Sequence, residues 1–238
     1  MAHFISRKYG VSIVTCTNRP EFFTNLLKNY KNQRYRNKEL IIVLNNDSMH
    51  LDDYRDKVAQ YPNVSVYQLP ESVSLGRCLN HGIAHAKLPL IAKFDDDDYY
   101  SPYYLLEQVK ALVRKRSDVV GKHACLVYVA AKKKLIIRSP SQKNKFLTFV
   151  QGGTILFRMR VFKKVRFANR TVGEDVKFLR SCRKKGFKVY ATSPFNYVYI
   201  RRKNKKSHTW KANDRFYLAG SRHVAKTQQF RRIAIRKM

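Results

Sequence analysis

The chain has 238 residues, 44% of them hydrophobic and 13% aromatic, with 49 Lys and Arg against 16 Asp and Glu, a formal net charge of +33. The apolar share excludes a disordered basic tail, and the length suffices for one domain with a real core, or one domain and a small annex. The charge calls for an anionic partner: nucleic acid, an acidic membrane face, an acidic polymer or a phosphorylated substrate.

Four cysteines, Cys16, Cys78, Cys125 and Cys182, occur without any C-x-x-C pair. That argues against a zinc site and against a disulfide framework, and they read as small buried thiols of a reducing compartment. The first ten residues hold no apolar leader, and no segment reaches the apolar length of a membrane span. The expectation is a cytoplasmic protein that can touch a membrane peripherally.

The elements follow in order. Val11 to Thr17 is a strand by its β-branched content. A helix starts at Asn18-Arg19-Pro20-Glu21, with Phe22, Phe23, Leu26, Leu27 and Tyr30 at helical spacing. Leu40 to Leu44 is a continuous apolar run, the pattern of a parallel strand covered on both faces, and Asn45-Asn46-Asp47-Ser48 ends it. A short helix is predicted over Leu51 to Tyr61, a strand over Val64 to Leu69, and a helix over Ser74 to Ala86. Leu90 to Phe94 is the fourth strand. Strands alternating with helices predict an α/β fold with a mostly parallel sheet and right-handed crossovers.

The fourth strand runs into Asp95-Asp96-Asp97-Asp98, four consecutive acids in a strongly basic chain. Their mutual repulsion calls for a cation, and hard divalent ions such as Mg²⁺ or Mn²⁺ prefer carboxylate oxygens. Ser101-Pro102 then opens a helix, so the acids lie at the carboxyl end of a strand, where open α/β sheets bind ligands. Asp98 is available as a cap for that helix.

Beyond it the pattern turns antiparallel. Val119-Val120, Ala124 to Val129 and Leu135 to Ile137 read as strands, the last two joined through Lys132-Lys133-Lys134 as a hairpin. Gln151-Gly152-Gly153 precedes Thr154 to Phe157, and paired glycines suggest backbone approaching a ligand or another strand. Val172-Gly173-Glu174-Asp175 opens a helix with Val176, Leu179 and Cys182 inward and Gly186 as its cap. Phe187 to Ala191 and Tyr197 to Ile200 are late strands, a weak helical pattern covers Phe216 to Val224, and the end is a basic tail.

Other candidates have two readings each. Arg77, early in a helix, is either a phosphate contact or a surface arginine. His81 and His85 stand four apart as a metal pair would, but no third ligand is near, which favours ordinary helix residues. The run Arg201 to Ser207 reads as a phosphate-binding loop, and Trp210 behind it as an anchor for that loop or a platform for a sugar or base.

The ordered set resembles family-2 glycosyltransferases. It comprises Val11–Thr17 with Asn18-Arg19-Pro20, the strand ending at Asn45-Asn46, Leu75-Gly76-Arg77-Cys78-Leu79-Asn80-His81-Gly82, Phe94-Asp95-Asp96-Asp97-Asp98 and Val172-Gly173-Glu174-Asp175. Within that family the chain looks most like bacterial spore-maturation enzymes. The resemblance implies a GT-A fold, a Rossmann-like nucleotide-diphospho-sugar transferase architecture, with a smaller antiparallel acceptor-side portion. It implies one domain over residues 1–220, with the nucleotide-sugar half at about 10–100 and the acceptor half at about 101–220, and a basic tail at 221–238. It places Thr15, Thr17 and Arg19 at the base, Arg77 near the nucleotide, and the D-x-D motif at Asp95-Asp96-Asp97. Asp95 would lie near ribose or metal, Asp97 would be the main Mg²⁺ or Mn²⁺ ligand, and Asp175 would be the catalytic base. The alternative for Asp175 is a first-turn acid favoured by the helix dipole. Asn45 and Asn46 stand where the family usually has an aspartate. An amide can still bond the base, so a UDP-sugar is the first expectation and the base stays open.

The implied activity is inverting, metal-dependent transfer of a sugar to a cell-envelope or spore-surface polysaccharide, protein or lipid-linked acceptor. The chemistry agrees with it. A metal clamp stabilises a diphosphate leaving group, and a carboxylate opposite must take the acceptor's proton. The implied location is cytoplasmic, with the inner membrane face or the spore surface as a peripheral site. Two rivals stand: a nucleic-acid-binding protein, and an inactive polyanion-binding relative. The first has charge and aromatics in its favour, but its basic residues are spread and no standard motif is present.

Overall fold

The computed structural model describes residues 8–204, 207 and 212–238. The strands are β1 (Val11–Thr17), β2 (Lys38–Leu44), β3 (Val64–Gln68), β4 (Leu90–Lys93), β5 (Tyr99–Tyr100), β6 (Val119–Gly121), β7 (Cys125–Val129), β8 (Lys134–Arg138), β9 (Lys145–Phe146), β10 (Leu156–Arg158), β11 (Val189–Ala191), β12 (Tyr197–Arg201) and β13 (Arg222–Lys226). The helices are α1 (Phe23–Lys31), α2 (Leu51–Val58), α3 (Leu75–Ala84), α4 (Tyr104–Arg114), α5 (Met159–Phe162), α6 (Glu174–Lys184), α7 (Asp214–Leu218) and α8 (Phe230–Ala234).

The strands form two sheets. The larger has the order β3-β2-β1-β4-β10-β6-β11-β9. Its first four strands are parallel, as the apolar runs predict, and all seven residues of β1 pair in register with β2. β10 enters antiparallel between β4 and β6. This insertion brings the turn preceding β10, residues 151–155, beside the carboxyl end of β4. The smaller sheet, β13-β8-β7-β12-β5, carries the expected β7–β8 hairpin. One of its faces, with Cys125, Val127, Ile136 and Tyr197, joins the main core.

The last residues are not a free tail. β13 pairs antiparallel with β8, and α8 lays Phe230 and Ala234 on the outer face of the smaller sheet, against Leu126, Tyr128 and Val198. The helix expected over Phe216 to Val224 stops at α7, because Gly220 adopts φ +62 and the open edge of β8 then pairs the chain as β13. The basic composition hid two apolar anchors that burial repays at roughly 1.5–3 kcal/mol for a large side chain.

Val176 was expected inside α6 and is instead 45% exposed. The inward residues are Glu174, Phe178, Leu179 and Cys182. Burying Glu174 fixes that phase, which turns position 176 outward. Among the described residues, no helix is long and apolar enough to cross a membrane.

Candidate active site

β4 delivers the four acids, and each is held differently. Asp96 is buried; it accepts a hydrogen bond from the Thr17 hydroxyl at 2.6 Å and pairs with Arg19. Burial, with the neighbouring Asp97 charge, pushes its pKa up to about 6, against the pull of Arg19. Asp97 pairs with Arg19 at 2.9 Å and with Arg202. Burial opposes its ionisation, but the two guanidiniums outweigh it and hold the carboxyl below its ordinary value. Asp98 does not cap α4. It is buried, accepts from the Tyr197 hydroxyl at 2.5 Å and from the Ile200 amide at 3.0 Å, and ties the acid turn to β12. Burial and the adjoining charges raise its pKa well above the carboxylate range.

Asp95 pairs with Lys93, a buried lysine at the end of β4. Alternate residues of an extended chain share a face, so the strand supplies its own counter-ion two residues before the acid. Burial works against the Lys93 charge, but Asp95, Glu174 and Asp175 outweigh it and keep the ammonium protonated.

The Asp95 amide donates to the Tyr100 hydroxyl at 2.8 Å, and that hydroxyl donates to the Gly153 carbonyl at 2.6 Å. Tyr100 is buried and stacks on Phe94 with ring centroids 3.7 Å apart. It thus rivets the acid turn to the Gly152-Gly153 turn. At that turn two carboxylates meet. A Cβ on Gly153 would stand 2.5 Å from Asp95 Oδ2, and a Cβ on Gly152 would stand 2.3 Å from Asp175 Oδ2. Only glycines leave room for both acids. Gly173, at φ +76, turns the chain into α6 and so presents Asp175 to this place. Asp175 accepts from the Val176 amide at 2.7 Å. Its neighbour Glu174 is buried, which pushes its pKa up to about 7 against the Lys93 charge.

The remaining expected positions divide. Thr17 and Arg19 join the acids directly. Thr15 is buried in β1 with a hydroxyl that has no hydrogen-bond partner. Asn45 and Asn46 sit at the end of β2 as expected, and their amides bond the carbonyls of Pro70 and Asn18, bracing the loops around the first strand ends. Arg77 is exposed near the start of α3 and forms no ion pair with a described residue. His81 and His85 pack with Tyr67 as a ring cluster. Among the described residues, no group of three or more His, Cys, Asp or Glu could hold a metal ion unaided. Of the basic run behind β12, Lys205 and Lys206 lie outside the described residues, as does Trp210. Sequence reasoning missed Lys93, Arg202, Tyr100 and the two roles of Gly152 and Gly153. Lys93 had a signal, a lysine inside an apolar strand; Arg202 stood in the basic run read as a phosphate-binding loop, but its pairing with Asp97, far along the chain, had none.

The donor set fits a shared cation. Asp95 and Asp97 offer hard oxygen ligands, and Mg²⁺ in particular binds through one or two carboxylates plus substrate phosphates instead of a closed protein cage. Both are met by cations, Asp95 by Lys93 and Asp97 by Arg19 and Arg202, so the site already balances carboxylate charge with positive charge.

A mixed sheet with acids at the end of its fourth strand and a second acidic station across a glycine turn defines a GT-A-type transferase fold. The sequence model of glycosyl transferase family 2 matches residues 12–169, and the chain belongs to that family. Poly-beta-1,6-N-acetyl-D-glucosamine synthase of Staphylococcus aureus is 24% identical, over 50% of this chain and 32% of the synthase. S. aureus TarS residues 1–349, solved with UDP-GlcNAc, superposes with a TM-score of 0.66 at 17% identity, over 84% of this chain and 62% of that one. The mannosyltransferase PcManGT from Pyrobaculum calidifontis, solved with GDP-Man and Mn²⁺, gives 0.62 at 17% identity, over 82% and 58%. The chain therefore spans about a third of the curated relative and about three fifths of the solved ones.

Proposed function

We propose that the chain moves a sugar from a nucleotide-diphosphate donor to an acceptor hydroxyl, with inversion, and with Mg²⁺ or Mn²⁺ held by Asp95 and Asp97. The observation that supports this is the convergence of Asp95 and Asp175 on consecutive glycines, which sets a donor-side and an acceptor-side carboxylate across one turn of backbone. When bound, the metal would offset the charge that develops on the departing diphosphate. Asp175 takes the proton of the acceptor hydroxyl as its oxygen bonds the anomeric carbon and the carbon–phosphate oxygen bond breaks. A single displacement inverts the centre. Arg19 and Arg202, which hold Asp97 ionised, are the cations that diphosphate oxygens would compete for. Thr15 has a hydroxyl to spare at the strand end that the family uses for the base.

The solved neighbours hold a UDP-sugar and a GDP-sugar, so both nucleotides belong in the test. Calorimetric titration with UDP, GDP and other nucleoside diphosphates, with Mn²⁺ and after its removal, should find one that binds only with metal. Asp97→Ala should weaken that binding by about 100-fold, the loss of a charged ligand contact. Equal, weak binding of all nucleotides, indifferent to metal, would remove the reading. Tight, steeply salt-dependent nucleic-acid binding that ignores Asp97→Ala would favour the rival instead.

A further inference from the structure

A second pocket adjoins the acidic turn. It lies on the inner face of the smaller sheet, lined by Cys125, Val127, Arg138, Gln151, Tyr197, Tyr199 and Tyr217, with a volume of about 50 Å³. That is well below an ordinary ligand pocket and holds a few waters, room for one small charged group and not for a whole sugar or a polymer segment. Two of its walls belong to the site already described. Gln151 directly precedes Gly152, and the Tyr197 hydroxyl, bound to Asp98, would stand 3.1 Å from a Cβ on Gly153. A group seated here therefore borders the Gly152-Gly153 turn, which Asp175 also meets.

The lining is largely apolar, with one cation, Arg138, three tyrosines and no carboxylate. Arg138 stacks on the Phe216 ring, its guanidinium carbon 4.0 Å from the centroid, and lies 5.7 Å from that of Tyr217. Stacking occupies the faces of a guanidinium and leaves its N–H edge for a ligand. Arg138 forms no ion pair with any described residue, whereas Arg19, Arg160, Arg201 and Arg202 all meet carboxylates. Arg201 also flanks Tyr217, 5.4 Å from its ring centroid, and one of its terminal nitrogens is buried without a partner. Tyr217 and Tyr199 stand hydroxyl to hydroxyl at 3.2 Å, both in the pocket wall. Arg138 thus faces the tyrosines of this hollow with no carboxylate partner among the described residues, while Arg201, behind Tyr217, is paired with Asp214.

We propose that this pocket binds an anionic group, phosphate or carboxylate, carried by the acceptor, with Arg138 as its bidentate partner. The acceptor assignment rests on the transferase reading; the anion site does not. Arg138 fixes the charged substituent and so aims a neighbouring hydroxyl at Asp175. Selection is by charge, because an unpaired Arg138 gains little from a neutral sugar.

The test is titration of the metal-free protein with glycerol 3-phosphate, glucuronate, glycerol and glucose, followed by NMR or calorimetry. Metal is left out so that no phosphate binds through it. At least one anion should bind saturably, and its neutral counterpart should not; which anion wins separates phosphate from carboxylate. Arg138→Gln should weaken it by about tenfold or more. Lys132→Gln, an exposed cation at the far end of the hairpin, should change it less than about twofold, since general attraction to a basic protein is diffuse. Should Arg138→Gln fail to fold, Arg138→Lys keeps charge and stem but loses the fork, and a measurable weakening is still expected. Unchanged affinity in the Arg138 variants, or equal binding of the neutral compounds, overturns the proposal. Nucleoside diphosphate binding with Mn²⁺ is measured on the same variants. Its absence from wild type as well would sink the transferase reading alone; its retention beside a lost anion site separates the two.

Discussion

Asp97 and Asp175, the proposed metal ligand and the proposed base, are held in opposite ways. Asp97 is gripped by two arginines that keep it ionised before any ligand arrives. Asp175 accepts a backbone amide at one oxygen, and its other oxygen rests against the bare backbone of Gly152. The contrast suits two tasks. A ligand for a cation must be charged at all times, and mobile counter-ions can hold that charge until the metal and diphosphate replace them. A base must offer an open lone pair to a hydroxyl, which an arginine would block.

The largest effect that would test this contrast is on the rate. Asp175→Asn should lower transfer by about 10²–10⁴-fold, the usual worth of a positioned base, with metal-dependent nucleotide affinity unchanged. Parallel loss of both would make the two stations a single one. The glycine pair sharpens the comparison further. Gly152→Ala places its methyl against Asp175 and Gly153→Ala against Asp95, and in each case the obstruction is the end of a side chain that can swing aside. Both variants should fold. Gly152→Ala should reduce kcat by up to about 10²-fold with donor binding kept, the cost of a displaced reacting group. Gly153→Ala should weaken metal–nucleotide binding instead. Identical profiles for the two would erase the division of labour.

The smallest effect is on stability. Glu174, beside Asp175, has a pKa raised from 4.5 to about 7 by burial. Between those values the folded chain holds a proton that the unfolded chain has lost. Stability therefore falls as pH rises across the window, by at most about 3 kcal/mol. Urea titrations from pH 4 to 8 should show that decline flatten in Glu174→Gln. A decline of the same slope in the variant would assign it to another group, Asp98 being the next candidate.

The first hundred residues were readable because their signals are local. Continuous apolar runs announced β1, β2 and β4, and four acids in a basic chain marked the site before any contact was known. Paired glycines signalled a close approach at 152–153 without saying what approached. The rest of the chain was less legible. The three-residue spacing of Val176, Leu179 and Cys182 predicts one inner face, but Glu174, near the Lys93 charge, is the residue buried in the first turn and settles the phase. The closing segment looked like a solvated tail because its arginines outnumber Phe230 and Ala234, the residues that anchor it.

By itself, then, the sequence determined the alternation of strands and helices, the acid cluster at a strand end and the family. Those depend on neighbours within a few residues, where periodicity and side-chain chemistry act directly. Tertiary structure alone decided which cations answer which acids. Arg202 meets Asp97 and Tyr197 meets Asp98 only because β12 pairs with β5 beside the acid turn. It also decided that Asp95 and Asp175, eighty residues apart in number, share one glycine turn. The insertion of β10 between β4 and β6 creates that meeting, and strand order is set by the burial of whole faces, which no local pattern encodes.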